Sequence, residues 1–223
     1  MKKILYIYIV LYSSFCFSQN IFLTEAKEIH ANNDKFLYAL TEEPKTDAQY
    51  LGKIEVSGFS NDDAAVFSEI YKKAKSIGGN SYFMKPAENI EGNSTFNPHH
   101  YILYIYYKEK QTIPQKPNTV YLINPEKEIE VRINNKKIKL PQRSFLQLDL
   151  SQQEITDISV GKFLGARIKL QAKNNQPEQY FQISGKKIST NSPVSPGINY
   201  KTGDIIALEK SFAEFLLTIY DKL

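Results

Sequence analysis

The chain has 223 residues, and 28 lysines and arginines against 24 aspartates and glutamates give it a formal net charge of +4 at pH 7. Arg132, Arg143 and Arg167 are its only arginines, and residues 19–110 hold 10 basic and 13 acidic side chains against 16 and 11 in residues 111–223. Neither part carries the basic footprint of a nucleic-acid binder, and one cysteine with no tryptophan excludes a disulfide framework.

Lys2 and Lys3 open the chain, Ile4 to Phe17 is uncharged and mostly apolar or aromatic, and Ser18, Gln19 and Asn20 break the run. Positive, apolar, then small is the pattern of a secretory signal peptide over residues 1–18. Cys16 and Ser18 supply the small side chains that signal peptidase needs, placing the cut between Ser18 and Gln19. The apolar run falls short of the ~20 residues of a membrane helix. Bulky Phe15 before Cys16 departs from a lipobox, so lipidation is not expected. The mature chain then has no cysteine, hence no thiol nucleophile and no thiolate metal site. No later run is long and apolar enough for a second membrane segment.

After the leader, Thr24–His30 fits strand or helix, and Phe36–Leu40 fits a strand. Leu51–Phe59 is a strand with Ile54 and Val56 on one face. Ser60-Asn61-Asp62-Asp63 matches a capping box, with Ser60 accepting from the Asp63 amide. Ala64, Phe67, Ile70, Tyr71, Ala74 and Ile77 follow at helical spacing, and Gly78-Gly79 closes the helix. Ser81–Met84 is a short strand and Pro86–Pro98 a loop. Tyr101–Tyr107 is apolar or aromatic on both faces, which points to a central, buried strand. The β-α-β order makes the strands flanking the helix parallel.

Residues 111–118, with Pro114 and Pro117, read as a linker. Beyond it, strands fit at Thr119–Ile123, Glu128–Ile133, Lys136–Leu140, Ser144–Leu150, Ile155–Val160, Ala166–Ala172, Gln179–Ser184 and Asn199–Ile206. Asn134-Asn135 is a hairpin turn, since Asn tolerates positive φ. Leu208–Leu223 has Leu208, Phe212, Phe215, Leu216, Ile219 and Leu223 on one face, an amphipathic helix placed to cover a sheet.

The run Tyr50-Leu51-Gly52-Lys53-Ile54-Glu55-Val56-Ser57-Gly58, the helix ending in Ile77-Gly78-Gly79-Asn80 and the strand after it resemble the small β-α-β domain of the YbjQ-like proteins and of the RcsF envelope-stress lipoprotein. The resemblance spans Tyr50 to Tyr107, and Gly79 stands where those families carry alanine. It implies a fold rather than a catalytic residue. The disulfides of the stress sensor have no counterpart here. Val120-Tyr121-Leu122 and Ile129–Lys137 are weakly similar to small exported β-domains of the DUF2846 and PEGA kind.

There is no nucleophile elbow, phosphate loop, dinucleotide fingerprint or His-Glu-x-x-His. His99-His100 begins a strand, where neighbours point to opposite faces. Either of them with His30, Asp62 or Asp63 could hold an ion, but the spacing does not require it, and no metal or cofactor is assigned. Glu42-Glu43 and Asp62-Asp63 are paired in sequence, whereas acid–base catalysis needs carboxyls across a cleft. Fifteen tyrosines, clustered at Tyr82, Tyr101, Tyr104, Tyr106 and Tyr107, could stack on sugar rings or fill a sheet core. Asn93-Ser94-Thr95 matches a glycosylation sequon and is read as loop polarity.

The sequence therefore predicts an α+β protein. A small mixed-sheet β-α-β domain (19–110) precedes an antiparallel β-sandwich-like domain with a C-terminal helix (119–223). It is expected to be exported, periplasmic or extracellular, and non-catalytic, with an envelope protein as partner and no nucleic acid. The rival is a hydrolase, or a glycan- or metal-binding protein, with a site between the domains.

Overall fold

The computed structural model describes residues 19–87, 96–109, 113, 115–161, 165–185, 187–190, 198–201 and 203–223. The leader with Cys16, the sequon at 93–95 and part of the linker lie outside the described residues. The chain divides into two compact units, Met1–Ile113 and Pro114–Leu223. Its secondary structure is α+β: mostly strand, in several sheets, with two helices among the described residues. No helix there is long and apolar enough to cross a membrane.

The first unit contains β1 (Asn20–Ala26), β2 (Tyr38–Ala39), β3 (Gln49–Ser57), α1 (Asp63–Ser76), β4 (Ser81–Pro86) and β5 (His100–Tyr107). They form a five-stranded sheet in the order β1-β3-β5-β4-β2. Both β3 and β4 run antiparallel to β5, so the strands flanking the helix are parallel to each other with β5 between them. β2 joins β4 in parallel, which makes the sheet mixed. β5 is central, but only Tyr101, Leu103, Ile105 and Tyr106 are buried, so the expectation of burial on both faces fails over half its length. Of Thr24–His30 only the first three residues are strand, the end of β1, which pairs with β3 along the sheet edge, and residues 27–30 are neither strand nor helix.

The helix begins one device later than the capping box predicts. Ser60 Oγ accepts from the Asp62 amide, and Asp62 is the N-cap, its carboxylate accepting from the Ala65 amide at 2.9 Å. Both residue types cap well, and the carboxylate also meets the positive helix end. Val66, Phe67, Ile70 and Ala74 turn inward. On the sheet, Leu51, Ile54, Val56, Tyr101, Leu103 and Ile105 are buried, each aliphatic side chain contributing roughly 1.5–3 kcal/mol. At the C-terminus, Gly78 N–H bonds the Lys75 carbonyl and Gly79 N–H the Ala74 carbonyl, with Gly78 at φ +80, a Schellman close.

The second unit contains β6 (Thr119–Asn124), β7 (Ile129–Ile133), β8 (Lys136–Leu140), β9 (Ser144–Asp149), β10 (Thr156–Val160), β11 (Arg167–Leu170) and β12 (Gln179–Ser184). It continues through β13 (Lys187–Thr190), β14 (Ile198–Lys201), β15 (Asp204–Ala207), α2 (Lys210–Ile219) and β16 (Asp221–Lys222). A four-stranded sheet, β11-β10-β7-β8, and a five-stranded sheet, β15-β12-β6-β9-β16, share a core of Val120, Leu122, Val131, Ile133, Leu140, Ile158, Val160 and Ile183. All six residues of β6 are buried. Alternation puts Val120 and Leu122 in that core and Tyr121 and Ile123 on the other face, where α2 buries Ala213, Phe215, Leu216 and Ile219. Asn134 (φ 48) and Asn135 (φ 68) form the two-residue turn between β7 and β8.

Three expectations are corrected. The unit is not all antiparallel: β12 pairs with β6, and β16 with β9, in parallel. A hairpin cannot make such pairs, but β7, β8, β10 and β11 belong to the other sheet, and the long connections that pass through it permit them. The strand expected over 199–206 is two, β14 and β15, and β14 pairs with the unforeseen β13 as a separate ribbon. The last helix stops at Ile219: Tyr220 turns extended, and the Asp221 and Leu223 amides bond the Arg143 and Phe145 carbonyls.

Candidate functional site

Helix α1 covers one face of the first sheet, and strand register populates the other. Tyr50 opposes Tyr106, Lys53 opposes Tyr104, and Glu55 opposes Ile102 on β3 and β5. Phe83 opposes Tyr104 and Lys85 opposes Ile102 on β4 and β5. Phe22, on the edge strand, opposes Glu55 and is 57% exposed. Cross-strand partners share a face, so these side chains form one surface. Tyr50, Phe83, Ile102 and Tyr104 are half-buried in its middle.

The rings meet at angles. Tyr50 and Tyr104 centroids lie 6.2 Å apart at 41°, and Tyr50 meets Tyr106 edge-on at 5.5 Å. The Lys85 ammonium stands 4.9 Å above Tyr104 and 5.8 Å above Phe83 and pairs with Glu43 at 2.6 Å. Lys27 lies 5.9 Å above Tyr50. His100 Nε2 and Glu55 Oε1 are 2.9 Å apart at the far end. An aromatic centre inside a rim of both charge signs is the anatomy of a protein interface. A sugar platform wants coplanar rings, which the tilts do not provide.

Burial, then the Glu43 carboxylate and Tyr104, push the Tyr106 phenol up to about 12. Burial and Glu25 also raise Tyr50. A folded value above the ordinary 10 favours the neutral phenol, so the stabilisation is complete below that pH and is lost as pH rises through about 12. The first unit is therefore expected to lose stability progressively above about pH 10, and Tyr106→Phe should flatten that loss. Urea midpoints at about pH 9 and about pH 11 for both proteins would show it.

The other sequence candidates are dispersed. Tyr82 and Tyr101 are each 1% exposed and belong to the core. Tyr107 stacks on His30, centroids 3.7 Å apart, and His99 packs against Phe59. The three histidines thus stand in separate places. Asp62 caps α1 and Asp63 lies in its first turn, while Glu43 is engaged by Lys85 and Glu42 is exposed. Among the described residues no group of three or more His, Cys, Asp or Glu could hold a metal ion. A recess of about 420 Å³ is lined by Asn32, Asn33, Asp34, Phe36, Asn80 and Tyr107, among others. Beside it, Lys75 Nζ gives its donors to the Asp34, Phe36 and Gly79 carbonyls at 2.6–3.0 Å. That amine is a structural clamp for the loop. Of the surface residues, Tyr104 and Tyr106 stood among the sequence candidates. Tyr50, Phe83, Ile102 and Lys85 did not, although period-2 alternation separates 102, 104 and 106 from 101, 103 and 105.

No family model matches the chain, and neither does any curated protein or solved structure.

Proposed function

We propose that this chain is an exported, non-catalytic interaction module, and that the helix-free face of its first sheet binds an envelope protein. The observation that carries the reading is the surface centred on Tyr50, Phe83, Ile102 and Tyr104, rimmed by Lys53, Lys85, Glu55 and His100. Aromatic anchors with a mixed-charge rim dominate protein-recognition hot spots. Among the described residues β1 is the edge strand of this sheet, and an edge strand can take up an added strand. The resemblance of residues 50–107 to the YbjQ-like domain enters only as a proposed fold kinship. The rival hydrolase reading draws little from the titrating groups. Asp47, Glu69 and Asp157 are held low by their partners Lys108, Lys72 and Arg167, and the raised tyrosines are raised by burial first.

A photo-reactive residue at position 102, in the full chain in its own cells, tests the reading. One dominant envelope-protein adduct is expected, reduced roughly tenfold or more by Tyr104→Ala and absent when the probe replaces Lys139. Adducts unaffected by Tyr104→Ala, or none above background, would overturn it.

A further inference from the structure

Two of the chain's three arginines meet on the second unit. Strand pairing places Ser159 of β10 opposite Arg132 of β7 on one side and opposite Arg167 of β11 on the other. The three therefore form a single cross-strand row on the face of the four-stranded sheet turned away from the core. They line a recess of about 300 Å³ together with Asn135, Asp157, Gly161 and Gly165, the space of about ten waters at ~30 Å³ each.

The two guanidinium groups are held differently. Arg167 Nε donates to both Asp157 carboxylate oxygens at 2.7 and 2.9 Å, and its Nη2 donates to Oδ2 as well. This clamp orients the guanidinium plane and leaves its Nη1 edge over. Asp157 also lines the recess, and Arg167 neutralises it. Among the described residues Arg132 has only a loose contact, Nε to Glu130 Oε1 at 3.8 Å, which is beyond hydrogen-bonding reach. Glu130 is drawn instead to Lys137 at 3.1 Å. The recess therefore keeps one surplus positive charge with a free guanidinium fork, a second fork edge and a hydroxyl between them.

Two of the lining residues are glycines. Gly161 sits at φ +82, and a Cβ on Gly165 would lie 1.7 Å from the Val160 carbonyl oxygen. Positive φ calls for glycine at 161 and the close approach of the Val160 main chain calls for it at 165, so neither position puts a side chain into the recess. Donors arriving from two strands and from the sheet floor surround a tetrahedral group better than a planar one, and Arg forks fit phosphate oxygens.

We infer that this recess binds the phosphate group of a phosphate ester, held between Arg132 and Arg167 with Ser159 beneath it. The site is independent of the aromatic face on the other unit.

The test is titration of the full chain with glycerol phosphate and with inorganic phosphate. Vesicles of phosphatidylcholine, with and without phosphatidylglycerol, form a second arm. Saturable binding is expected, weakened roughly tenfold by Arg132→Gln and by raised salt, and unchanged by Arg143→Gln. Arg132 has no tight partner to lose, and circular dichroism checks that the variant folds. Binding to the soluble esters points to a solute; binding only to vesicles, again lost in Arg132→Gln, points to a lipid headgroup. The proposal is overturned if acetate binds as tightly, if Arg143→Gln weakens binding as much as Arg132→Gln, or if no probe binds saturably at about 10 mM.

Discussion

Gly78→Ala is expected to destabilise the first unit by about 2–5 kcal/mol, the sum of a left-handed backbone for a residue with Cβ and of overpacking. Gly78 has φ +80, and its added Cβ would lie 1.7 Å from the His30 carbonyl oxygen and 2.7 Å from its carbonyl carbon. The obstruction is main chain and cannot swing away as a side chain can. His30 N–H bonds the Ile77 carbonyl at 3.1 Å, and Asn32 Nδ2 bonds the Gly78 carbonyl at 3.1 Å, so retreat of residues 30–32 would break both. Gly79→Ala meets a softer obstacle, Ile105 Cγ2 at 2.3 Å, and should cost ~1–3 kcal/mol. Urea unfolding followed by circular dichroism measures both. A Gly78→Ala midpoint equal to that of the parent would refute the argument. The same geometry gives a physical reason for glycine at position 79, where the resembled families carry alanine: Ile105 occupies the space.

Lys210→Met should cost the second unit ~3–5 kcal/mol at neutral pH, the usual result of removing one partner from a buried ion cluster. Lys210 Nζ donates to Glu178 Oε2 at 2.9 Å and lies 3.5 Å from Glu214 Oε1, with side-chain exposures of 21%, 9% and 14% for the three residues. The single Tyr180 O–H is shared between the two carboxylates, at 3.1 Å from Glu178 Oε2 and 3.3 Å from Glu214 Oε1, and its ring stacks on Tyr121 at 5.2 Å and 9°. Methionine keeps most of the stem but leaves two carboxylates facing one phenol. Taking up a proton relieves that repulsion, so the deficit should shrink in acid. In the parent protein, burial first and then Glu214 and Glu178 raise Tyr180; for Lys210 desolvation is the largest single influence and lowers it, but Glu178 and Glu214 together outweigh it and leave the amine raised. Both groups thus stabilise fully below about pH 10 and lose that contribution as pH rises beyond it. A deficit in Lys210→Met that is the same at about pH 4 and about pH 7 would sink the electrostatic explanation and leave only lost packing.

The candidate surface was half legible. Tyr104 and Tyr106 drew notice as members of a tyrosine cluster, but residues adjacent in a strand face opposite ways, so Tyr101 went to the core and Tyr107 to His30. Their true neighbours, Tyr50 and Phe83, come from other strands through pairing register. Register across nonadjacent segments leaves no local mark in the chain. The Arg132–Ser159–Arg167 row was hidden for the same reason: 35 positions separate its ends in the numbering, and only two ladders align them.

Local chemistry by itself determined a good deal: the helix over residues 63–76, its glycine close, the Asn134-Asn135 turn and most strand positions in the second unit. Each depends on periodicity, or on the φ that one or two residues tolerate, and these act within a few positions of the chain. Tertiary structure decided which of Ser60 and Asp62 caps α1, where α2 stops, that β6 and β12 pair in parallel, and which side chains share a surface. Those outcomes turn on small differences between locally acceptable alternatives. Packing and hydrogen bonds to distant segments, such as Asp221 to Arg143, supply the deciding free energy.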